Sequence, residues 1–436
     1  MISVNNKGWE EKTFMKVKTR NVTNNGKLPI GAYFGPFPKD PRWPDDPDVL
    51  NDESYKLARD GGFNFMIGFA ERYPSNTPDV NRSLECAAHN GMRMILSDEN
   101  IEQGSVERKY GEADISGAEQ DDQTSIDEHG DHPGYWGCYI VDEPCPPKFG
   151  NMRKLRDMFY RVSPNNLFFI NMLPSYAMHL VKNDGSDWIY DTEERLGVFR
   201  KYVAQYLDEV DPELFCYDYY PYMGPFPAFS GDFYANLAIT RDECQKRGKP
   251  FWVSPQAGMW ADPNTRGLSI GEMRHQNYTA LAFGAKGFVY YVWSQAAGHT
   301  QGLAKDGKPT FLYYYAQECN LFIERYEKDF IANESLGVIV TGSSMGNIPD
   351  CALAQDKGDI LSVEGEHLIT GVFENEGKYS YLVTNNSITY YDNIVVKFGK
   401  AVKRVACHPD GREEEFTALE YRTKLDIGDC VYIKEL

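Results

Sequence analysis

Along the chain, short apolar runs alternate with longer stretches whose apolar residues recur at helical spacing. The runs are PIGAYFG (29–35), FNFMIGFAE (63–71), MRMILSDE (92–99), YWGCYIVDE (135–143), NLFFINM (166–172), ELFCYDYY (213–220), PFWVSPQ (250–256) and KGFVYYVW (286–293). Between them DESYKLARDGG, VNRSLECAAHNG, NMRKLRDMFYRVS, FYANLAITRDECQKRG and SIGEMRHQNYTALAFGAKG read as amphipathic helices, several closed by the glycine that ends helices most readily. Eight strands that are apolar almost throughout, alternating with helices, predict a parallel sheet covered on its outer face. The residues ending the runs are Tyr33, Glu71, Asp98, Glu143, Asn171, Asp218, Gln256 and Trp293, spaced 27 to 47 positions apart. That is near the roughly 30 or more residues of a βα unit. The expected fold class is therefore α/β, a (β/α)8 TIM barrel over residues 27–334. An open doubly wound sheet would carry a Gly-rich phosphate turn after its first strand, and GAYFGPFP is not one.

After residue 335 the texture changes. LGVIVTG, HLITGVFE, KYSYLVTN, DNIVVKFG, VKRVACH and DCVYIKEL alternate with tight turns and no long helix. They predict a small C-terminal antiparallel β-sandwich domain over residues 335–436. Residues 1–26 form an N-terminal extension that either adds a strand or caps the barrel base.

Composition narrows the function classes. The net charge of −19 leaves no basic surface for nucleic acid. No apolar run nears the roughly 18 to 20 residues that span a bilayer, and MISVNNKGWEEKTFMKVKTR has no secretory core. The expectation is a cytoplasmic protein, although a chain whose signal had been removed would look the same. Nine cysteines scattered singly, with no CxxC pair, give neither a disulfide framework nor a zinc site. No cofactor is implied.

In a barrel of this type the C-terminal strand ends face one pocket. Here they carry carboxylates (Glu71, Asp98, Glu99, Asp142, Glu143, Asp218), amides (Asn100, Asn171, Gln256) and aromatics (Tyr33, Phe34, Tyr219, Tyr220, Tyr222, Tyr290, Tyr291, Trp293), and no histidine. Flat rings stack on the apolar faces of sugars while carboxylates and amides bind hydroxyls, so a carbohydrate is the expected partner. A carboxyl group at a strand end among Tyr and Trp tends toward a raised pKa and can protonate a leaving oxygen. Glu143 fits that acid. Glycoside cleavage also needs a second carboxylate.

HPGYWGCYIVDEP, GKPFWVSPQA and GEMRHQNYTALAFGAKGFVYYVWS resemble the fourth-, seventh- and eighth-strand regions of clan A glycoside hydrolases, over residues 29 to 295. The resemblance implies a (β/α)8 glycosidase. Its acid/base would be Glu143, in Asp142-Glu143-Pro144 where the clan has Asn-Glu-Pro, and Trp293 would line the sugar site. The chain departs from the clan at strand seven, where Gln256 stands in place of the nucleophilic Glu, and an amide cannot form a glycosyl ester. Asp218 is then the first candidate for the second carboxylate, with Asp98, Glu99 and Glu71 behind it. A base set far from Glu143 would imply inversion of the anomeric centre. Asp142, Gln256, Trp293, Tyr220, Glu71, Asp98, Tyr33, Asn171 and Tyr291 are the expected substrate-binding residues.

Blander roles stand beside these. Glu143 can serve a salt bridge, Asp218 can cap a loop, and Gln256 can be structural. Trp136, Trp252 and Trp260 suit packing better than ligand platforms. The HGDH segment (129–132) has metal-like residues but precedes strand four, away from the catalytic face, so no metal site is assigned. Three other functions stay open: a carbohydrate-binding protein on a decayed barrel, a metal-dependent hydrolase or deacetylase, and a transglycosidase or lyase using the same acid.

Overall fold

The computed structural model describes residues 22–39, 46–68, 78–112, 114–182, 188–260, 266–294 and 299–436. Eight parallel strands close into a barrel: β1 (Ile30–Tyr33), β2 (Phe65–Ile67), β3 (Arg93–Leu96), β4 (Tyr135–Asp142), β5 (Leu167–Met172), β6 (Phe215–Asp218), β7 (Phe251–Ser254) and β8 (Phe288–Tyr290). The ring is shut by β8 pairing with β1, Gly31 opposite Val289. Principal helices follow in turn: α1 (Asp52–Asp60), α2 (Pro78–His89), α3 (Ala118–His129), α4 (Phe149–Val162), α5 (Thr192–Glu209), α6 (Asp232–Gln245), α7 (Ile270–Ala282) and α8 (Phe311–Arg325). Local chemistry starts several of them. Asn51 accepts from the Ser54 amide ahead of α1, and Ser269 and Glu272 form a reciprocal capping box ahead of α7.

The strands are apolar on both faces because both are covered. Met66, Met94, Ile170, Tyr217 and Tyr290 point outward under the helices. Phe65, Trp136, Phe169 and Trp252 fill the barrel interior, with Phe65 and Trp136 centroids 5.0 Å apart and Trp136 and Trp252 5.7 Å apart. Trp136 and Trp252 are thus packing residues, as expected from sequence. Close strand approach fixes Gly137, where a Cβ would lie 2.0 Å from the Leu167 carbonyl oxygen. At the N-terminal end of the barrel Val22 joins the interior cluster, and Asn24 bonds both Asn64 and Arg93. This part of the extension caps the base.

The C-terminal region is a β-sandwich. Its strands are β9 (Glu334–Gly342), β10 (Ile360–Glu364), β11 (His367–Asn375), β12 (Lys378–Asn385), β13 (Asp392–Phe398), β14 (Arg404–Cys407), β15 (Glu413–Phe416), β16 (Glu420–Leu425) and β17 (Cys430–Glu435). They form a six-stranded sheet, β9-β11-β12-β17-β14-β15, and a three-stranded one, β10-β13-β16. Val372, Val383 and Ile433 of the first meet Ile394, Val396 and Leu425 of the second in a shared core. The sandwich packs on the barrel through Ile369, Phe373 and Leu382, which join the barrel's apolar cluster, and through polar side chains: the Arg241 guanidinium donates to Ser335 Oγ and O at 3.0 and 2.8 Å, and Asn386 Oδ1 meets Tyr234 Oη at 2.6 Å and His275 Nε2 at 2.7 Å. Among the described residues no helix is long and apolar enough to cross a membrane.

Candidate active site

At the C-terminal end of the barrel the strands open into a cavity of about 240 Å³. Its floor is built by three adjacent strands. β4 ends in Asp142, the chain turns sharply at Glu143 (φ +46°), β5 contributes Asn171, and β6 ends in Asp218. The turn is pinned by Glu143 N donating to Asn171 O at 2.9 Å, and by Tyr202 Oη donating to the Pro144 carbonyl at 2.7 Å. Asn171 Nδ2 bridges two acids, donating to Asp218 Oδ1 at 2.9 Å and Asp142 Oδ1 at 3.2 Å. Tyr176 Oη donates to Asp218 Oδ2 at 3.4 Å. The walls are aromatic: Tyr33 ending β1 and Phe34 after it, Tyr139 from β4, Tyr220 after β6 and Tyr291 after β8.

The electrostatics separate the acids. Asp218 is 4% exposed, while Glu143 stands open to the cavity water. The Glu143 and Asp218 carboxyls act on one another across the cavity floor. Both are held above the ordinary carboxylate range, first by desolvation and then by like charge: Asp218 and Asp142 act on Glu143, and Asp142 on Asp218. The Asn171 amide pulls the other way on Asp218, so the proton the pair retains belongs on Glu143. Burial, reinforced by these carboxylates, also keeps the Tyr220 hydroxyl protonated and lifts Tyr291 to about 12.

Of the residues singled out from sequence, Glu143, Asp218, Asp142, Tyr220, Tyr33, Asn171 and Tyr291 line this one cavity. Three do not. Asp98 lies one residue past the inward-facing Ser97, so it points out of the barrel; its carboxylate accepts from the Asn100 amide at 2.9 Å and faces Asp122 of α3. Trp293 is two residues beyond Tyr291 and 1% exposed, packed outside the barrel on Phe63 and Tyr313. Gln256 is 1% exposed and its Oε1 accepts from the Tyr222 amide, so it is a loop strut. Glu99 is exposed and outside the lining, and Glu71 lies outside the described residues. His129 of HGDH is buried below the catalytic face. Ser97 and Tyr139 line the cavity and were not singled out from sequence; Ser97 carries the inward parity of its strand (95, 97), a usable signal. Tyr176 reaches Asp218 from a turn after β5, and no strand-end pattern marks it. Among the described residues no three His, Cys, Asp or Glu side chains are grouped to hold a metal ion.

No protein-family model matches the chain, and no curated protein matches it by sequence. Solved structures do. A family 39 glycoside hydrolase from Bacteroides cellulosilyticus WH2 superposes with a TM-score of 0.55 at 12% identity, over 95% of this chain and 82% of that one. A glycoside hydrolase family 5 protein from Bacteroides vulgatus ATCC 8482 gives 0.54 at 13% identity, over 94% and 89%. A catalytic mutant of Gan42B, a GH42 β-galactosidase from G. stearothermophilus, gives 0.54 at 8% identity, over 96% and 100%. The chain thus shares its fold with glycoside hydrolases of several families.

Proposed function

We propose that the protein is a glycoside hydrolase acting on a short saccharide or glycoside, with Glu143 as general acid and Asp218 as the second carboxylate. The observation that carries the reading is the convergence of these two carboxyls on one aromatic-walled cavity, both held above the ordinary carboxylate range. Glu143 gives its proton to the glycosidic oxygen as the bond from that oxygen to the anomeric carbon breaks. Inverting pairs stand roughly 6.5–9.5 Å apart to leave room for water. Retaining pairs stand closer, roughly 5–5.5 Å apart, and in this reading Asp218 attacks the anomeric carbon and forms a glycosyl ester. Water, deprotonated by Glu143, then cleaves that ester, and the configuration is retained. Asn171 and Tyr176 hold Asp218 in place, and the ring of tyrosines stacks on the sugar. Nine free cysteines, seven of them buried separately, are compatible with the cytoplasmic location expected from sequence.

The test uses aryl glycosides with good and poor leaving groups. Glu143→Gln is expected to lose about 10²–10⁴-fold on poor leaving groups, the worth of a general acid, and much less on good ones. Asp218→Asn is expected to abolish both, and proton NMR of the first product should show retained configuration. A wild type that cleaves none of a broad panel, yet gains melting temperature with sugars, would instead be a carbohydrate-binding protein.

A further inference from the structure

Glycoside cleavage employs two carboxyl groups, and this cavity holds three. Asp142 has no part in the chemistry proposed above. Its carboxylate stands open to the cavity, with one hydrogen bond from the described residues, that from Asn171 Nδ2 at 3.2 Å. Its charge acts on Glu143, Asp218, Tyr33, Tyr220 and Tyr291 alike, so it sits amid the lining and not at its edge. No Lys, Arg or His is among the described residues that line the cavity.

Two further polar residues of the lining carry a buried atom without a partner among the described residues: Tyr33 Oη, on a residue 7% exposed, and Asn171 Oδ1, on one 5% exposed. Buried polar atoms are rarely left unpaired, and these two add acceptor capacity to the wall behind Asp142. Asn171 Oδ1 and the Asp142 oxygens can only accept, and Tyr33 Oη can accept as well. A surplus of acceptors and negative charge is poorly met by sugar hydroxyls, each of which brings one donor together with lone pairs of its own. An ammonium group brings three donors, no lone pair and a positive charge. A divalent cation is the other ligand for such charge, but among the described residues no three acidic, His or Cys side chains converge to hold one.

We propose that the substrate is an amino sugar: a glycoside whose ring carries a free, protonated amine, held by Asp142 with Tyr33 and Asn171 beside it. This rests on the hydrolase reading and names its substrate class.

The experiment pairs 4-nitrophenyl glucosides and galactosides with their 2-, 3- and 6-amino-deoxy forms and the N-acetylated versions of each, on the full chain, at a pH that keeps the amines protonated. At least one free amine is expected to exceed its hydroxyl parent about 10- to 100-fold in kcat/KM, the worth of a hydrogen bond to a charged group. N-acetylation, which removes the charge, should erase that gain. Asp142→Asn should lower the amine-to-parent ratio by the same factor, and Tyr33→Phe by a smaller one. Parents cleaved as well as every amine, with a ratio unmoved in Asp142→Asn, would overturn the inference and leave the hydrolase reading standing. If the wild type cleaves nothing, the hydrolase reading fails. Calorimetry with glucosamine, galactosamine and their parent sugars then decides the inference: tighter amine binding that depends on Asp142 upholds it, and equal binding overturns it. Asp142-dependent binding of calcium or magnesium with no preference for amines also overturns it.

Discussion

Glu143 occupies the left-handed region of backbone space at φ +46°, where a side chain costs free energy that neighbouring contacts must offset. The turn lifts its carboxyl off the barrel wall and toward Asp218. Because both acids are held above the ordinary range, the pH profile of kcat/KM is displaced upward at both ends. With the proposed roles, activity is expected to fall at low pH as Asp218 gains a proton and cannot attack, and at high pH as Glu143 loses the proton it would donate. Asn171→Ala removes the amide that holds Asp218 down, so the acidic limb is expected to move to higher pH while the basic limb moves less. A pH–rate series on wild type and variant checks both shifts. Two glycine-like conformations among the lining residues, Phe34 at φ +56° and Glu143, were invisible in sequence, since neither residue type announces a positive φ.

At the scale of single elements, the period of two decides which strand-end residues enter the cavity. Ending the third strand at Asp98 in place of Leu96 put the wrong parity inward, while Trp293 shares the parity of Tyr291 but lies past the end of the eighth strand, where the alternation no longer holds. β4 resists such counting, because its pairing slips between Met94 and Ile95 on one side and between Tyr139 and Val141 on the other. That slip is why Tyr139 joins the wall. Asp98 has instead a structural partner in Asp122 of α3, a carboxyl with 0% exposure and no hydrogen bond to either oxygen. Burial, then the charge of Asp98, pushes Asp122 up to about 8. Between the unfolded-state value and that one, the folded protein keeps a proton which the unfolded chain releases. Stability is therefore fully present in acid and is lost as pH rises toward 8, by about 1.4 kcal/mol per unit over the steep part. Asp122→Asn should flatten that limb, whatever its effect at pH 5, when unfolding by urea is followed from pH 5 to 8.

Over the whole molecule, the eight apolar runs and the alternating tail were enough to forecast a barrel and a sandwich, because burial on two faces or on one leaves different periods in the sequence. The contacts joining the two were not legible, since they depend on single side chains far apart in the chain. His275 of α7 is the clearest case, buried between Tyr222 Oη at 2.5 Å and Asn386 Oδ1 at 2.7 Å. Burial drives its pKa down to about 4, against a smaller opposing pull from Asn386. The unfolded chain takes up a proton there which the folded protein refuses, so this group contributes stability above about pH 6.5 that is lost as pH falls toward 4. The slope is opposite in sign to that of Asp122. Across weak acid the two contributions oppose each other, and His275→Asn should steepen the gain in stability toward low pH relative to wild type in the same urea series.

Trp136 and Trp252 lie under the floor of the cavity and not in its lining, with indole centroids 5.7 Å apart and the Arg93 guanidinium 4.5 Å from the Trp136 ring. Two indoles that close exchange excitation and share one rigid, asymmetric setting. Their near-ultraviolet dichroism is expected to report barrel closure, to be lost on unfolding, and to change little when a sugar occupies the cavity above them.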